Sequence, residues 1–190
     1  MTGPLGVQVP RVLVRPRGIV GSSGPEAVEL AAAAGLVLDP WQVSVLELAM
    51  AERGNGSWAA AEVGLICSRQ NGKNATLEAR ELFGAVLLGE TVIHTAHLFK
   101  TTREAYTRLL ELVEAHADLK RKLTYTTASP ASGYELRFTG GGRVVFIARS
   151  RSSGRGLTGD LLVFDECQSL DDDALAALLP TISARPDAQA

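Results

Sequence analysis

The sequence predicts an α/β fold in which helices cover a mostly parallel sheet, and three observations predict it. Short apolar runs at 62–67, 91–96 and 161–164 alternate with segments of helical periodicity. Two of those runs lead directly into polar loops, Ser68–Asn74 and Asp165-Glu166, as strands do at the carboxyl edge of an open sheet. The 190 residues are 46% hydrophobic and 21% charged, a balance that suits one sizeable core and excludes a disordered or fibrous chain.

Residues 1–24 are rich in Pro and Gly without periodicity and read as an irregular arm. A first helix is expected over Pro25–Ala34, closed by Gly35, so that residues 1–35 form an arm and helix ahead of a main domain at 36–190. The second helix starts at Asp39-Pro40-Trp41-Gln42 and runs to Arg53. Asp39 can cap it, Pro40 suits its first turn, and Gln42 stands at the third position of a capping box.

Glu62–Cys67 then reads as a strand, and Ala75, Leu77, Ala79, Leu82, Phe83, Val86 and Leu87 recur at helical spacing up to Gly89. Thr91–Ala96 reads as a second buried strand, followed by a helix over Thr102–His116 that carries Ala105, Leu109, Leu112 and Val113. Tyr134, Leu136 and Phe138 alternate with charged residues and precede Gly140-Gly141-Gly142 and the run Val144–Ala148, which is the pattern of a β-hairpin. A glycine- and serine-rich loop, Arg149–Gly159, leads to the strand Leu161–Phe164. The last helix covers Asp172–Leu179 and stops at Pro180.

The formal net charge is −2, so any contact with nucleic acid must be local. Basic residues cluster at Arg11–Arg17, at Lys120–Lys122 and at Arg149–Arg155; with no aromatic interleaving, such runs read first as solvated faces. Cys67 and Cys167 lack the paired spacing of a zinc site, and reduced thiols are expected. No apolar stretch is long enough to span a bilayer, which points to the cytoplasm and away from a membrane.

The candidate chemistry sits in two stretches. The phosphate-loop pattern G-x-x-x-x-G-K-[ST] works because backbone N–H groups at a helix N-terminus surround anionic oxygens while a lysine reaches the terminal phosphates. Cys67-Ser68-Arg69-Gln70-Asn71-Gly72-Lys73-Asn74 matches it at Gly72 and Lys73; Cys67 replaces the first glycine, and Asn74 replaces the hydroxyl residue that touches Mg²⁺. The second stretch is Leu161-Leu162-Val163-Phe164-Asp165-Glu166, an apolar strand whose carboxyl end presents two acids. Asp165 would hold Mg²⁺, and Glu166 would orient or deprotonate the attacking water. Together, in this order and each after an apolar run, the two stretches predict a P-loop NTPase-like three-layer sandwich that hydrolyses ATP.

At these residues the chain resembles the ATPase domain of phage large terminases, whose phosphate loop often reads Arg-Gln-x-Gly-Lys, as Arg69-Gln70-Asn71-Gly72-Lys73 does here. The resemblance extends from Asp39-Pro40-Trp41-Gln42 through GRGLTGD at 154–160 to PTISARPD at 180–187. It implies an ATP-driven subunit of a homo-oligomeric ring that moves double-stranded DNA into a procapsid, working with a portal protein and a small terminase subunit. It further implies that Ser68, Arg69, Gln70, Asn71, Gly72, Lys73 and Asn74 line the nucleotide, with Asp165 and Asn74 toward the metal.

By the same resemblance Gln42 would read the adenine edge, an alternative to its capping role. Arg69 would contact or sense the γ-phosphate, and Arg155 would act as an arginine finger toward a neighbouring subunit, with Arg149 and Arg151 as competitors. Terminases of this additional-strand type carry a further sheet strand and a nuclease domain beyond the segment matched here, so the chain is expected to be incomplete at its C-terminal side. Two other readings stay open: a superfamily 2 helicase-like ATPase, suggested by Asp165-Glu166-Cys167-Gln168, and an inactive prophage terminase fragment, suggested by Asn74. His94 and His97 read as packing or loop residues.

Overall fold

A computed structural model describes residues 6–129, 133–150, 154 and 156–190. Its first part is a small helical layer. β1 (Gly21–Ser22) pairs antiparallel with β2 (Ala51–Glu52), and between them run α1 (Gly24–Ala33) and α2 (Pro40–Ala49). α2 ends at Ala49, short of the Arg53 expected from sequence, because residues 51 and 52 are drawn off into the β1 pairing. Ala27, Ala31, Leu46, Ala49 and Met50 form a core with Ala79 and Phe83 of α3 (Lys73–Phe83), so this layer is seated on the helix that follows the phosphate-loop residues.

The main sheet takes β3 (Thr91–Ala96), β4 (Leu123–Ser129), β5 (Gly133–Phe138), β6 (Arg143–Ala148) and β7 (Leu161–Phe164) in the order β4-β5-β6-β3-β7. β6, β3 and β7 are parallel; β4, β5 and β6 form an antiparallel meander. All six residues of β3 are buried, as expected for a strand covered on both faces. From one face Val92, with Val144, Phe146, Leu161 and Val163, packs on Leu82 of α3 and on Ala105, Tyr106, Leu109 and Val113 of α4 (Phe99–Ala115). From the other, Ile93 and Leu162 pack on Leu178 of α6 (Asp172–Leu178). Helices therefore cover both faces. The inward residues of α4 recur three or four apart, which gives it one apolar stripe.

α3 does not end at Phe83 but widens into a single π-helical turn, Gly84–Leu88, closed by Gly89 in the left-handed conformation. Gly142 meets that turn from the hairpin side, and a Cβ there would collide with the Ala85 carbonyl oxygen. A buried ion pair and a buried histidine–carboxylate hydrogen bond tie α3 to the sheet. Arg80 makes a bidentate pair with Glu90 (2.7 and 3.1 Å), and Glu81 meets His94 Nδ1 at 2.6 Å. His94 also packs on Phe146, in keeping with the packing role expected of it.

Several elements differ from the sequence reading. β4, with α5 (Ala117–Lys122) before it, was not expected: it is an outer strand whose face is largely exposed, so LTYTTAS shows only weak apolar alternation. Conversely, Glu62–Cys67 is not a strand. Strand structure is shared, because each extended segment needs a neighbour to take up its N–H and C=O groups. Here the Val63 N–H donates to the Ala190 carbonyl (2.8 Å) and the Ala190 N–H to the Ala61 carbonyl (2.9 Å). On its other side Gln189 bridges β7 in parallel, accepting from the Leu162 N–H at 2.9 Å. Residues 189–190 thus lie between β7 and the 61–63 segment. Beyond them, among the described residues, no backbone hydrogen bond joins 64–67 to the sheet, and Ile66 is fully exposed.

Candidate functional site

The site is built where α3 begins. Gly72 is its N-cap, with φ +80 and ψ 16, a left-handed conformation that lets the loop turn abruptly into the helix. The Gly72 carbonyl accepts from the Ala75 N–H (3.1 Å) and from Gln42 Nε2 (2.8 Å). Gln42 is buried, and its Oε1 accepts from the Asp39 N–H at 2.6 Å, one half of the expected capping box. Both ends of the Gln42 amide are thus engaged by the protein, joining the start of α2 to the turn at Gly72. Ser68, Arg69, Gln70 and Asn71 are exposed on the loop; Asn71 Nδ2 donates to Ser68 Oγ (2.9 Å), and Gln70 holds a positive φ of 61.

Lys73 projects from the first residue of α3 to the carboxyl edge of β7. Its ammonium forms an ion pair with Asp165 Oδ1 and donates to Asn74 Oδ1 at 3.2 Å. Asp165 is buried, and its N–H continues the β3–β7 ladder by donating to the Thr95 carbonyl (2.9 Å). Two oxygens from separate parts of the chain, one of them a carboxylate, therefore converge on one cation. A carboxylate and an amide carbonyl are hard oxygen donors of the kind Mg²⁺ takes, so the residues present fit such an ion.

Glu166 is half-buried and adopts φ 56 and ψ 55, a left-handed conformation uncommon for a residue with a side chain. The chain then turns through a 3₁₀ segment, Cys167–Ser169, with the Ser169 N–H donating to the Glu166 carbonyl at 3.0 Å. Arg149, weighed from sequence as a residue reaching outward, lies instead against its own sheet. Its Nη1 donates to the carbonyls of Thr95 (3.2 Å) and Asp165 (2.7 Å), and its Nη2 to that of Glu166 (3.0 Å). Burial of the guanidinium pulls the Arg149 pKa below its ordinary value, against the opposing pull of Cys167, Asp165, Glu166 and Asp171.

Of the residues singled out from sequence, the structure thus brings together Gln42, Gly72, Lys73, Asn74 and Asp165, with Glu166 next along the chain. Ser68, Arg69, Gln70 and Asn71 lie on the loop leading to them. Arg151 and Arg155 lie outside the described residues. The clasp made by Arg149 had one readable signal, its position immediately after a parallel strand at the rim where such sheets bind ligands.

No family model matches the sequence, and no curated protein does. Solved structures do. The crystal structure of the HK97 bacteriophage large terminase superposes with a TM-score of 0.74 at 17% identity, over 88% of this chain and 36% of that one. The Thermus phage P74-26 large terminase ATPase domain superposes at 0.61 and 17% identity, over 91% of this chain and 67% of that one. A point mutant of the same domain gives 0.61 and 17%, over 83% and 65%. The chain has the fold of a phage large-terminase ATPase domain. It spans 36% of the length of the HK97 terminase, and at this identity the terminase likeness is one of fold.

Proposed function

We propose that this chain is the ATP-binding and hydrolysing unit of a terminase-type motor that drives double-stranded DNA into a viral procapsid. The observation that carries the reading is the meeting of Lys73, at the N-terminus of α3, with Asp165 at the end of β7, the same ammonium also donating to Asn74. In a P-loop enzyme those are the two places that hold a triphosphate from either side. The terminase fold supports the choice of motor.

In this reading the backbone N–H groups around Gly72 and the start of α3 receive the phosphates. Lys73 exchanges Asp165 for phosphate oxygens. Asp165 and Asn74 would hold Mg²⁺, which when bound neutralises charge on the β- and γ-phosphates. Glu166, next to Asp165 at the same rim, orients the attacking water and accepts its proton. Arg69 stands on the exposed loop as the residue that senses the γ-phosphate, and Arg155 is the finger offered to a neighbouring subunit of a ring. Double-stranded DNA, a portal protein and a small terminase subunit are the partners of the assembled motor.

The test is ATP binding and phosphate release with Mg²⁺ present, comparing the unmodified chain with Lys73→Ala and Glu166→Gln. Lys73→Ala should lose nucleotide. Glu166→Gln should still bind it while turnover falls by about 10² or more, the range for removing a general base. Unchanged binding and turnover in both variants would end the proposal.

A further inference from the structure

The roles above leave Arg149 unused, yet its guanidinium donates to both carbonyls of the acidic turn. Its own backbone is fixed: β6 ends at Ala148, and the Arg149 N–H extends the parallel ladder by donating to the Ala96 carbonyl at 2.8 Å. That register aims the side chain across the carboxyl ends of β3 and β7. There one guanidinium donates to the Thr95, Asp165 and Glu166 carbonyls at 3.2, 2.7 and 3.0 Å.

The choice of carbonyls matters. The Asp165 and Glu166 carbonyls belong to the peptide planes on either side of the Glu166 Cα, so holding both fixes the φ and ψ of that residue. Those angles, 56 and 55, lie in a region that non-glycine residues seldom occupy. An outlier of this kind persists only where its surroundings over-determine it. The bond to Thr95 ties the same guanidinium to β3, so the direction in which the Glu166 side chain leaves the backbone is set relative to the sheet.

We infer that Arg149 is a positioning residue for Glu166, holding the acidic turn in its left-handed conformation so that the carboxylate faces the nucleotide. The inference rests on the proposed ATPase reading and adds to it a residue that acts through the backbone of Glu166. A planar fork with several fixed N–H donors holds the three carbonyls in one set geometry, whereas a lysine ammonium is a compact charge on a flexible stem whose three donors rotate freely. Burial at the rim, with Nε lacking a hydrogen-bond partner among the described residues, agrees with a side chain held for the sake of its two terminal nitrogens. The arrangement also sets Arg149 apart from an arginine finger, since its terminal nitrogens are committed to carbonyls of its own chain.

Two measurements on the full chain test it, each comparing Arg149→Gln and Arg149→Lys with the unmodified protein. In steady-state phosphate release, both variants should lose about 10² in kcat, the scale of a displaced reacting group, while KM for ATP stays within about threefold. In hydrogen exchange, the amides of 166–170 should exchange about tenfold faster while those of β3 and β6 keep their protection. Wild-type kcat in the variants overturns the inference, and so does unchanged exchange in the turn. Arg149→Lys keeps charge and stem, so it decides the matter if Arg149→Gln does not fold. If the unmodified chain hydrolyses no ATP, the ATPase reading falls, and the exchange comparison still judges the hold on Glu166.

Discussion

Replacing Gly72 with alanine perturbs the backbone position where the loop turns into α3 and where Gln42 is anchored. At φ +80 an alanine sits in the left-handed region, at a cost of about 1–2 kcal/mol relative to glycine. Its Cβ would also stand 2.9 Å from Gln42 Nε2, closer than ordinary contact, so the 2.8 Å bond from that nitrogen to the Gly72 carbonyl must give way. That loss adds about 1 kcal/mol. Charged against the nucleotide-binding conformation, the sum of about 2–3 kcal/mol corresponds to ATP binding weakened about 30- to 150-fold. Equilibrium titration with a fluorescent ATP analogue and Mg²⁺ reads the effect. A double-mutant cycle with Gln42→Ala separates its two parts, since the second change removes the collision but not the backbone strain. Affinity within threefold of the unmodified chain would refute the reasoning, because neither strain nor collision would then bear on the loop's binding conformation.

Gln42→Ala should weaken ATP and GTP alike, by about fivefold for the lost bond to the Gly72 carbonyl, because both ends of the amide are spent on Asp39 and Gly72; a changed ATP-to-GTP ratio in competition binding would instead make it a reader of the base. Arg80→Ala strands a buried Glu90 carboxylate and should cost about 3–5 kcal/mol in urea denaturation, most of it recovered when Arg80→Met is combined with Glu90→Leu. Burial raises the Glu78 pKa despite the opposing Arg108. A carboxyl whose folded pKa lies above its unfolded one favours the fold while protonated and gives that contribution up as pH rises through the folded pKa. Glu78→Gln should therefore gain in Tm relative to the unmodified chain as pH increases from 4 toward 7, and a difference independent of pH would count against that burial.

The order of the chemistry was legible because it is local. Gly72-Lys73 at the start of a periodic helix and Asp165-Glu166 after an uninterrupted apolar run are each fixed by their nearest neighbours in sequence. β3 and β7 were readable for the same reason, being short, apolar and covered on both faces. What escaped depended on partners distant in sequence. Glu62–Cys67 has the composition of a strand but, among the described residues, pairs only through Val63, with Ala190, a residue far away in the chain. β4 is the opposite case: its residues are polar and half exposed, and it is a strand because β5 takes up its backbone groups. The clasp of Arg149 on three carbonyls required the register of β6 against β3, and the pairing of Glu81 with His94 required the packing of α3 on β3, both set by partners distant in sequence.

Everything functional here depends on Lys73 and the Asp165-Glu166 turn serving one triphosphate at one rim of the sheet. The direct test is a crystal structure of this chain with a non-hydrolysable ATP analogue and Mg²⁺. Lys73 Nζ should have left Asp165 for β- and γ-phosphate oxygens at about 3 Å, with the Glu166 carboxylate turned toward the γ-phosphate. A nucleotide seated elsewhere, or one bound while Lys73 stays paired with Asp165, would contradict it.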